Sequence, residues 1–88
     1  MDGERIVMAA IKMSAANIAA VLKPGRHKDI VSHLQRYGYN VAGITPEMYG
    51  FITSEGSFVG RREGRAIALE SGQIKRLDRT ELHSEDVW

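Results

Sequence analysis

Residues 49–74 read YGFITSEGSFVGRREGRAIALESGQI, a stretch that combines strand, turn and helix signals. Two short runs of β-forming residues flank the turn-forming Ser-Glu-Gly, which predicts a β-hairpin. Gly56 supplies the positive φ that a short hairpin loop needs at its last position. Gly60 stands where a helix is capped, so we expect a helix to begin at Arg61 and to end at Gly72. The stretch therefore predicts a hairpin that runs directly into a helix.

The beginning of the chain contains a second apolar region. Residues 5–13 are apolar at both alternate sets of positions, which is typical of a strand buried on both faces. We predict that they form a central strand and that residues 18–23 return antiparallel to it. The richness in alanine leaves one alternative open, a single helix from about residue 9 to residue 22.

The most regular pattern lies in residues 26–37. Apolar side chains at Ile30, Leu34 and Tyr37 follow helical spacing, and Gly38 follows as a helix terminator. The sequence thus predicts an α+β domain, in which a small antiparallel sheet and two helices follow one another in β-β-α-β-β-α order. We place this single domain at residues 1–74. Residues 75–88 have mixed charge and no periodicity, which is typical of a mobile tail.

Size and composition limit the classes of function. The 88 residues carry a net charge of +1 and no cysteine, so bulk attraction to nucleic acid is not expected and thiolate chemistry is excluded. No apolar run approaches the ~20 residues of a membrane span, and the acidic start argues against a secretion signal. A chain of this length buries only roughly 60–65% of its unfolded surface, so we expect a homo-oligomer, a dimer or higher.

Positive charge is concentrated where the two predicted helices begin. The first group is Lys23, Arg26, His27 and Lys28, and the second is Arg61, Arg62 and Arg65. Helix starts favour acidic side chains by about 0.3–1 kcal/mol, so cations there are unfavourable unless an anion binds. The pattern therefore predicts a site for phosphate or carboxylate. A solvated basic surface, paired with nearby acids, is an equally open interpretation.

Aromatic and hydroxyl side chains accompany these arginines on the hairpin. Phe51 and Phe58 are candidates to stack on a base, and Thr53 and Ser54 offer hydroxyl groups. The alternatives are that the phenylalanines belong to the core and that the hydroxyls only form the turn. The sequence contains no zinc spacing, P-loop, nucleophile elbow or dinucleotide fingerprint, so we expect neither an enzyme nor a cofactor.

Two motifs carry a resemblance to a known family. GRHKDI at residues 25–30 and GFITSEGSFVGRRE at residues 50–63, with GQI at residues 72–74, resemble a family of small bacteriophage proteins. We place that family with the Thoeris anti-defence sponges. Those phage proteins sequester cyclic ADP-ribose-type signals, and in some cases cyclic oligonucleotides, that bacterial immune enzymes make.

The resemblance implies a non-enzymatic, oligomeric protein in the cytoplasm of the infected host. It implies that the partner is an anionic nucleotide-derived signalling molecule. The ligand-binding residues it implies are Arg26, His27, Phe51, Thr53, Ser54, Phe58, Arg61 and Arg62.

The sequence departs from the family pattern at Gly64, where alanine is usual, and in residues 14–24, which differ from the expected short hairpin. The alternative function is an inhibitor or adaptor that docks its basic surface on an acidic host protein.

Overall fold

Four antiparallel strands form one sheet in the order β2-β1-β3-β4. The computed structural model describes residues 3–88. Its strands are β1 (Ile6–Ser14), β2 (Asn17–Leu22), β3 (Tyr49–Thr53) and β4 (Phe58–Gly60), and its helices are α1 (His27–Arg36), α2 (Arg61–Glu70) and the short α3 (Ser84–Val87). The predicted α+β class and β-β-α-β-β-α order are confirmed, and α3 is an addition.

The first strands form a hairpin, so the alternative of one helix over residues 9–22 is wrong. Ala10 of β1 lies opposite Ala20 of β2 and opposite Gly50 of β3. The central residues of β1 are completely buried: Ala9 and Ile11 belong to the core cluster, and Ala10, on the other face, lies between β2 and β3. The second alternate set is less buried towards its ends, since Met8 is half-buried and Lys12 is exposed.

Both long helices lie on one face of the sheet. On this face Phe51 and Ile11 form one core cluster with Ile30 of α1, Ala68 of α2 and Leu82. The opposite face, which we call the open face, carries the side chains that alternate with the core set. By the strand register these are Met8, Ala10, Lys12, Ile18, Ala20, Leu22, Ile52 and Phe58, with Gly50 at the centre. No helix of residues 3–88 covers this face.

Each helix begins as the sequence predicts. Arg26 is the N-cap residue of α1, and its backbone N–H donates to the carboxylate of Asp29 at 2.8 Å. Gly60 is the N-cap residue of α2, which follows β4 without a connecting loop. In the hairpin loop between β3 and β4, Gly56 has a φ of 82°, the left-handed conformation that the turn requires. The long connection from α1 to β3 contains only two 3-10 turns, Val41–Gly43 and Pro46–Met48.

Residues 75–88 pack against the domain, which corrects the predicted boundary at residue 74. Leu82 is completely buried, and its N–H donates to the carbonyl of Arg61 at 2.9 Å. The indole N–H of Trp88 donates to the carbonyl of Gly25 at 2.8 Å. The segment has no regular period because it follows an irregular path over the two helix starts, and single apolar residues anchor it. Among residues 3–88, no helix is long and apolar enough to cross a membrane.

Candidate functional site

A cavity of about 280 Å³ lies where the starts of α1 and α2 meet segment 75–88. We call it the helix-start cavity. Its lining combines two cations, two histidines, one tyrosine, one serine and one acid: Lys28, Arg61, His27, His83, Tyr49, Ser84 and Glu85. The two basic helix starts that the sequence singles out are thus brought together at one place.

Tyr49, the first residue of β3, connects the two helix starts. Its ring stacks on the imidazole of His27, with 4.8 Å between ring centroids and 4° between planes. The guanidinium carbon of Arg61 lies 5.6 Å from the centroid of the same ring, within cation–π range. The Tyr49 ring therefore contacts one residue from each helix start, His27 of α1 and Arg61 of α2.

His27 is buried and neutral at neutral pH. Its Nε2 lies 2.8 Å from the carbonyl oxygen of Gly50, and since a carbonyl can only accept, Nε2 carries the proton. Burial lowers the pKa of His27 below its ordinary value of 6.5, and the positive charge of Arg61 acts in the same direction. The hydrogen bond to Gly50 and the charge of Glu85 oppose this shift without cancelling it. His27 thus contributes shape and a fixed ring, not charge.

Arg61 is the partly enclosed cation of the cavity. Its side chain is 15% exposed, and Nη2 lies 3.3 Å from a carboxylate oxygen of Glu81. The same nitrogen donates to the carbonyl of Pro46 at 3.3 Å. These contacts hold the guanidinium beside Tyr49. With Lys28 and Arg61 against Glu85, the charged side chains of the lining sum to one positive charge.

Three lining residues come from the segment that the sequence predicts to be a mobile tail. His83, Ser84 and Glu85 lie at the start of α3, where the N–H of His83 donates to the carboxylate of Asp86 at 2.8 Å. Nδ1 of His83 lies 3.0 Å from Nη1 of Arg79, and since the guanidinium can only donate, Nδ1 accepts. In the sequence, apolar Leu82 precedes His83, and an acid, Asp86, follows three residues after His83. This spacing is the signal that could have indicated a helix start here.

Arg26 does not line the helix-start cavity. Its guanidinium donates to the main-chain oxygen of Trp88, with Nε at 3.0 Å. Arg62 lines a neighbouring depression of about 380 Å³, which shares Tyr49 and Arg61 with the cavity. Of the four basic residues predicted for the site, His27 and Arg61 line the cavity, Arg62 lies beside it, and Arg26 fixes segment 75–88.

The predicted hairpin residues lie elsewhere. Phe51 is completely buried and Thr53 is 1% exposed, so both belong to the core. The hydroxyl of Thr53 donates to the carboxylate of Glu4. Ser54 accepts a hydrogen bond from the N–H of Arg5 at 3.0 Å, and Phe58 lies on the open face. The aromatic ring that lines the cavity is that of Tyr49. The alternation of a strand explains this, because odd-numbered residues of β3 face the helices and Tyr49 is nearest the helix starts.

No group of three or more histidine, aspartate or glutamate side chains within residues 3–88 is arranged to hold a metal ion.

Comparison with known proteins identifies the family of the chain. No curated protein and no solved structure matches it. Nothing found in the comparison supports the relation to the Thoeris sponges. A family model described as "Phage T4 y16D protein" matches residues 5–88, almost the whole chain. The chain therefore belongs to the phage T4 y16D protein family, which confirms the predicted resemblance to small phage proteins.

Proposed function

We propose that this phage protein binds a small anionic, nucleotide-derived signalling molecule in the helix-start cavity and sequesters it without cleavage. The observation that carries the proposal is the lining of the cavity, which places two cations, Lys28 and Arg61, in one concave surface beside Tyr49. Phosphate oxygens need cationic donors, and these two side chains would supply them. His27 and Arg61 already lie over the Tyr49 ring, so this ring shapes the cavity and holds the cation in place.

The cations would bind the phosphate groups. Arg61 is held in place by Glu81 and Pro46, but Glu81 is 45% exposed, so its carboxylate is free to turn towards water when a phosphate arrives. The guanidinium has five donors and matches a phosphate in a bidentate geometry, whereas Lys28 supplies a point charge. This division suits a ligand with more than one phosphate oxygen to satisfy.

The dimensions fit a ligand that is only partly enclosed. The cavity volume of about 280 Å³ lies just below the ~300–1,000 Å³ found for small-molecule sites. The neighbouring depression beside Arg62 extends the same surface by way of Tyr49 and Arg61. One nucleotide part of the ligand would lie in the cavity and the remainder would lie against Arg62.

Sequestration, not catalysis, is the simplest use of these residues. Each cavity histidine already has one ring nitrogen engaged, by Gly50 and by Arg79 respectively. An anti-defence role in the host cytoplasm is compatible with the phage family, and the signal-sequestering part of the proposal rests on the motifs at residues 25–30 and 50–74 alone. Both the ligand class and this role are parts of the proposal.

The test of the proposal is to recover the bound molecule. The whole protein is incubated with cyclic ADP-ribose isomers and with cyclic dinucleotides, dialysed, denatured, and the released material is identified by mass spectrometry. Intact ligand at a fixed ratio to protein is the expected result. A cleaved product would contradict sequestration. Absence of any bound ligand would contradict the proposal and favour the inhibitor or adaptor with an acidic host partner.

Variants locate the site. Arg61→Ala should weaken binding by about 1.5–3 kcal/mol, or roughly 10- to 150-fold, because it removes a charged hydrogen bond to the ligand. Arg76→Ala is the matched control, since its side chain is 83% exposed and pairs only with Asp78. Calorimetric titration measures both. If the Arg61→Ala and Arg76→Ala variants bind the ligand with equal affinity, the ligand does not occupy the helix-start cavity.

A further inference from the structure

The two edges of the sheet differ in how they are protected. β4 is an edge of only three residues that turns at once into α2. β2 is an edge of six residues, Asn17–Leu22, and within residues 3–88 it pairs with β1 alone. Natural edge strands are usually short or carry a charge or a proline that prevents pairing with another chain. β2 reads NIAAVL and carries neither.

Exposed aliphatic surface is concentrated on the same strand. Leu22 is 69% exposed and Ile18 is 43% exposed, and both lie on β2. Beside it, a groove of about 340 Å³ runs between β2 and α1. The floor and walls of the groove include Val21, Ile30 and Leu34. An unpaired strand, its exposed side chains and an apolar groove therefore form one continuous surface.

We propose that β2 pairs antiparallel with β2 of a second copy of this chain. This two-fold arrangement joins the two sheets into one of eight strands. With Ala20 opposite Ala20 of the second copy, Ile18 lies opposite Leu22 on the open face and Ala19 lies opposite Val21 on the helix face. The two exposed aliphatic side chains of each chain then cover those of the other.

Charge supports a second copy as the occupant. β2 contains no charged residue, so two copies meet without repulsion between strands. In a two-fold arrangement each β2 meets an identical strand, so the surface is self-complementary in its backbone donors and acceptors and in its lack of charge.

The helix-start cavity shares no lining residue with the groove, so this pairing is independent of the proposed ligand site.

Sedimentation velocity of the whole protein tests the pairing. We expect a mass of about twice 9.8 kDa at micromolar concentration. Leu22→Lys should raise the dissociation constant of the dimer by about tenfold or more, because a lysine would be buried at the interface. Tyr39→Lys is the matched control, since Tyr39 is 59% exposed and lies outside β2. Circular dichroism confirms that each variant is folded.

A cysteine cross-link identifies the strand. The chain has no cysteine, so Ala20→Cys introduces a single thiol. In the proposed register the two Cα atoms lie ~4.5–5.5 Å apart, within disulfide range. Oxidation should link the Ala20→Cys dimer rapidly and the hairpin-tip control Glu55→Cys slowly. A monomeric wild-type protein overturns the proposal. So does a dimer in which Ala20→Cys links no faster than Glu55→Cys, because the contact would then lie elsewhere.

Discussion

The chain contains two units of the same order, and their differences are instructive. The first unit is β1-β2-α1 and the second is β3-β4-α2. In each, the first strand lies in the centre of the sheet, the second forms an edge, and a helix with a basic start follows. The two central strands pair antiparallel, so the units face each other. Two units of the same plan therefore meet in the middle of one sheet.

The basic helix starts of the two units have different roles. Arg26 of the first unit donates to the main-chain oxygen of Trp88 and serves the fold. Arg61 of the second unit lies beside Tyr49 in the helix-start cavity, with 15% of its side chain exposed. Equal charge at equivalent positions thus does not imply equal function. The path of segment 75–88 decides which arginine is left for a ligand.

The largest expected effect concerns this segment. Leu82→Ala should lower the free energy of unfolding by about 2–4 kcal/mol, because it opens a cavity among completely buried core residues beside α2. Urea denaturation followed by circular dichroism measures the loss. Leu77→Ala, at a partly buried position of the same segment, should cost clearly less. Equal and small losses for both would show that segment 75–88 is not part of the core.

The next largest expected effect concerns the room for a side chain on the two central strands, β1 and β3. Gly50 of β3 lies opposite Ala10 of β1, yet only β1 has room for a methyl group there. A Cβ atom on Gly50 would lie 2.3 Å from the carbonyl oxygen of Val59 and 2.4 Å from the ring of Phe58. Gly50→Ala should therefore cost about 1–3 kcal/mol in urea denaturation. Gly43→Ala, where the Cβ would meet nothing within 4 Å and φ is not positive, is the control and should change stability little. A neutral Gly50→Ala would contradict the close contact.

A smaller effect separates the two arginines. Arg26→Ala should lower the free energy of unfolding by about 1 kcal/mol, because it removes charged hydrogen bonds at a partly exposed position. It should leave ligand affinity nearly unchanged, in contrast to Arg61→Ala. Calorimetric titration and thermal unfolding of both variants provide the comparison. A loss of affinity in Arg26→Ala equal to that in Arg61→Ala would place both helix starts in the ligand site.

The smallest effect concerns His27, which links the two units through Tyr49 and Gly50. Its pKa is lowered in the folded state, chiefly by burial, from an ordinary value of 6.5. Above pH 6.5, His27 is mainly neutral in both the folded and the unfolded protein, and its full contribution to stability is present. As the pH falls below 6.5, His27 binds a proton more readily in the unfolded protein, and the free energy of unfolding decreases. Thermal unfolding from pH 8 to pH 5 should show this slope, and His27→Gln should reduce it. An unchanged slope in the variant would assign the effect to other groups.

Local patterns predicted most of the fold. Apolar alternation in β1, helical spacing from Ile30 to Leu34 and the capping glycine at residue 60 each act within a few residues. They could be read from the sequence because the interactions they describe are local. The site was only partly predictable. His27 and Arg61 were identified by their unusual charge at helix starts, whereas Lys28 was noted as part of that charge but not chosen.

The residues that were missed or misplaced depend on distant contacts. Phe51 and Thr53 were predicted to bind a ligand, but both are buried. Alternation places them on one face of β3, and only the packing of the chain against that face makes it the buried one. Nothing within residues 75–88 has a period, since their packing partners lie in α2 and at Gly25. His83 therefore could not be assigned to the cavity before the path of this segment was known.

The class of the elements, their order and the two basic helix starts were all readable along the chain. That Arg61 lines a cavity, that Arg26 is occupied by Trp88 and that Tyr49 lies against His27 and Arg61 became known from the folded arrangement. The difference comes from the range of the interactions involved. Propensity, periodicity and capping act along the chain over a few residues, whereas the cavity arises from the pairing of β1 with β3 and from the docking of segment 75–88.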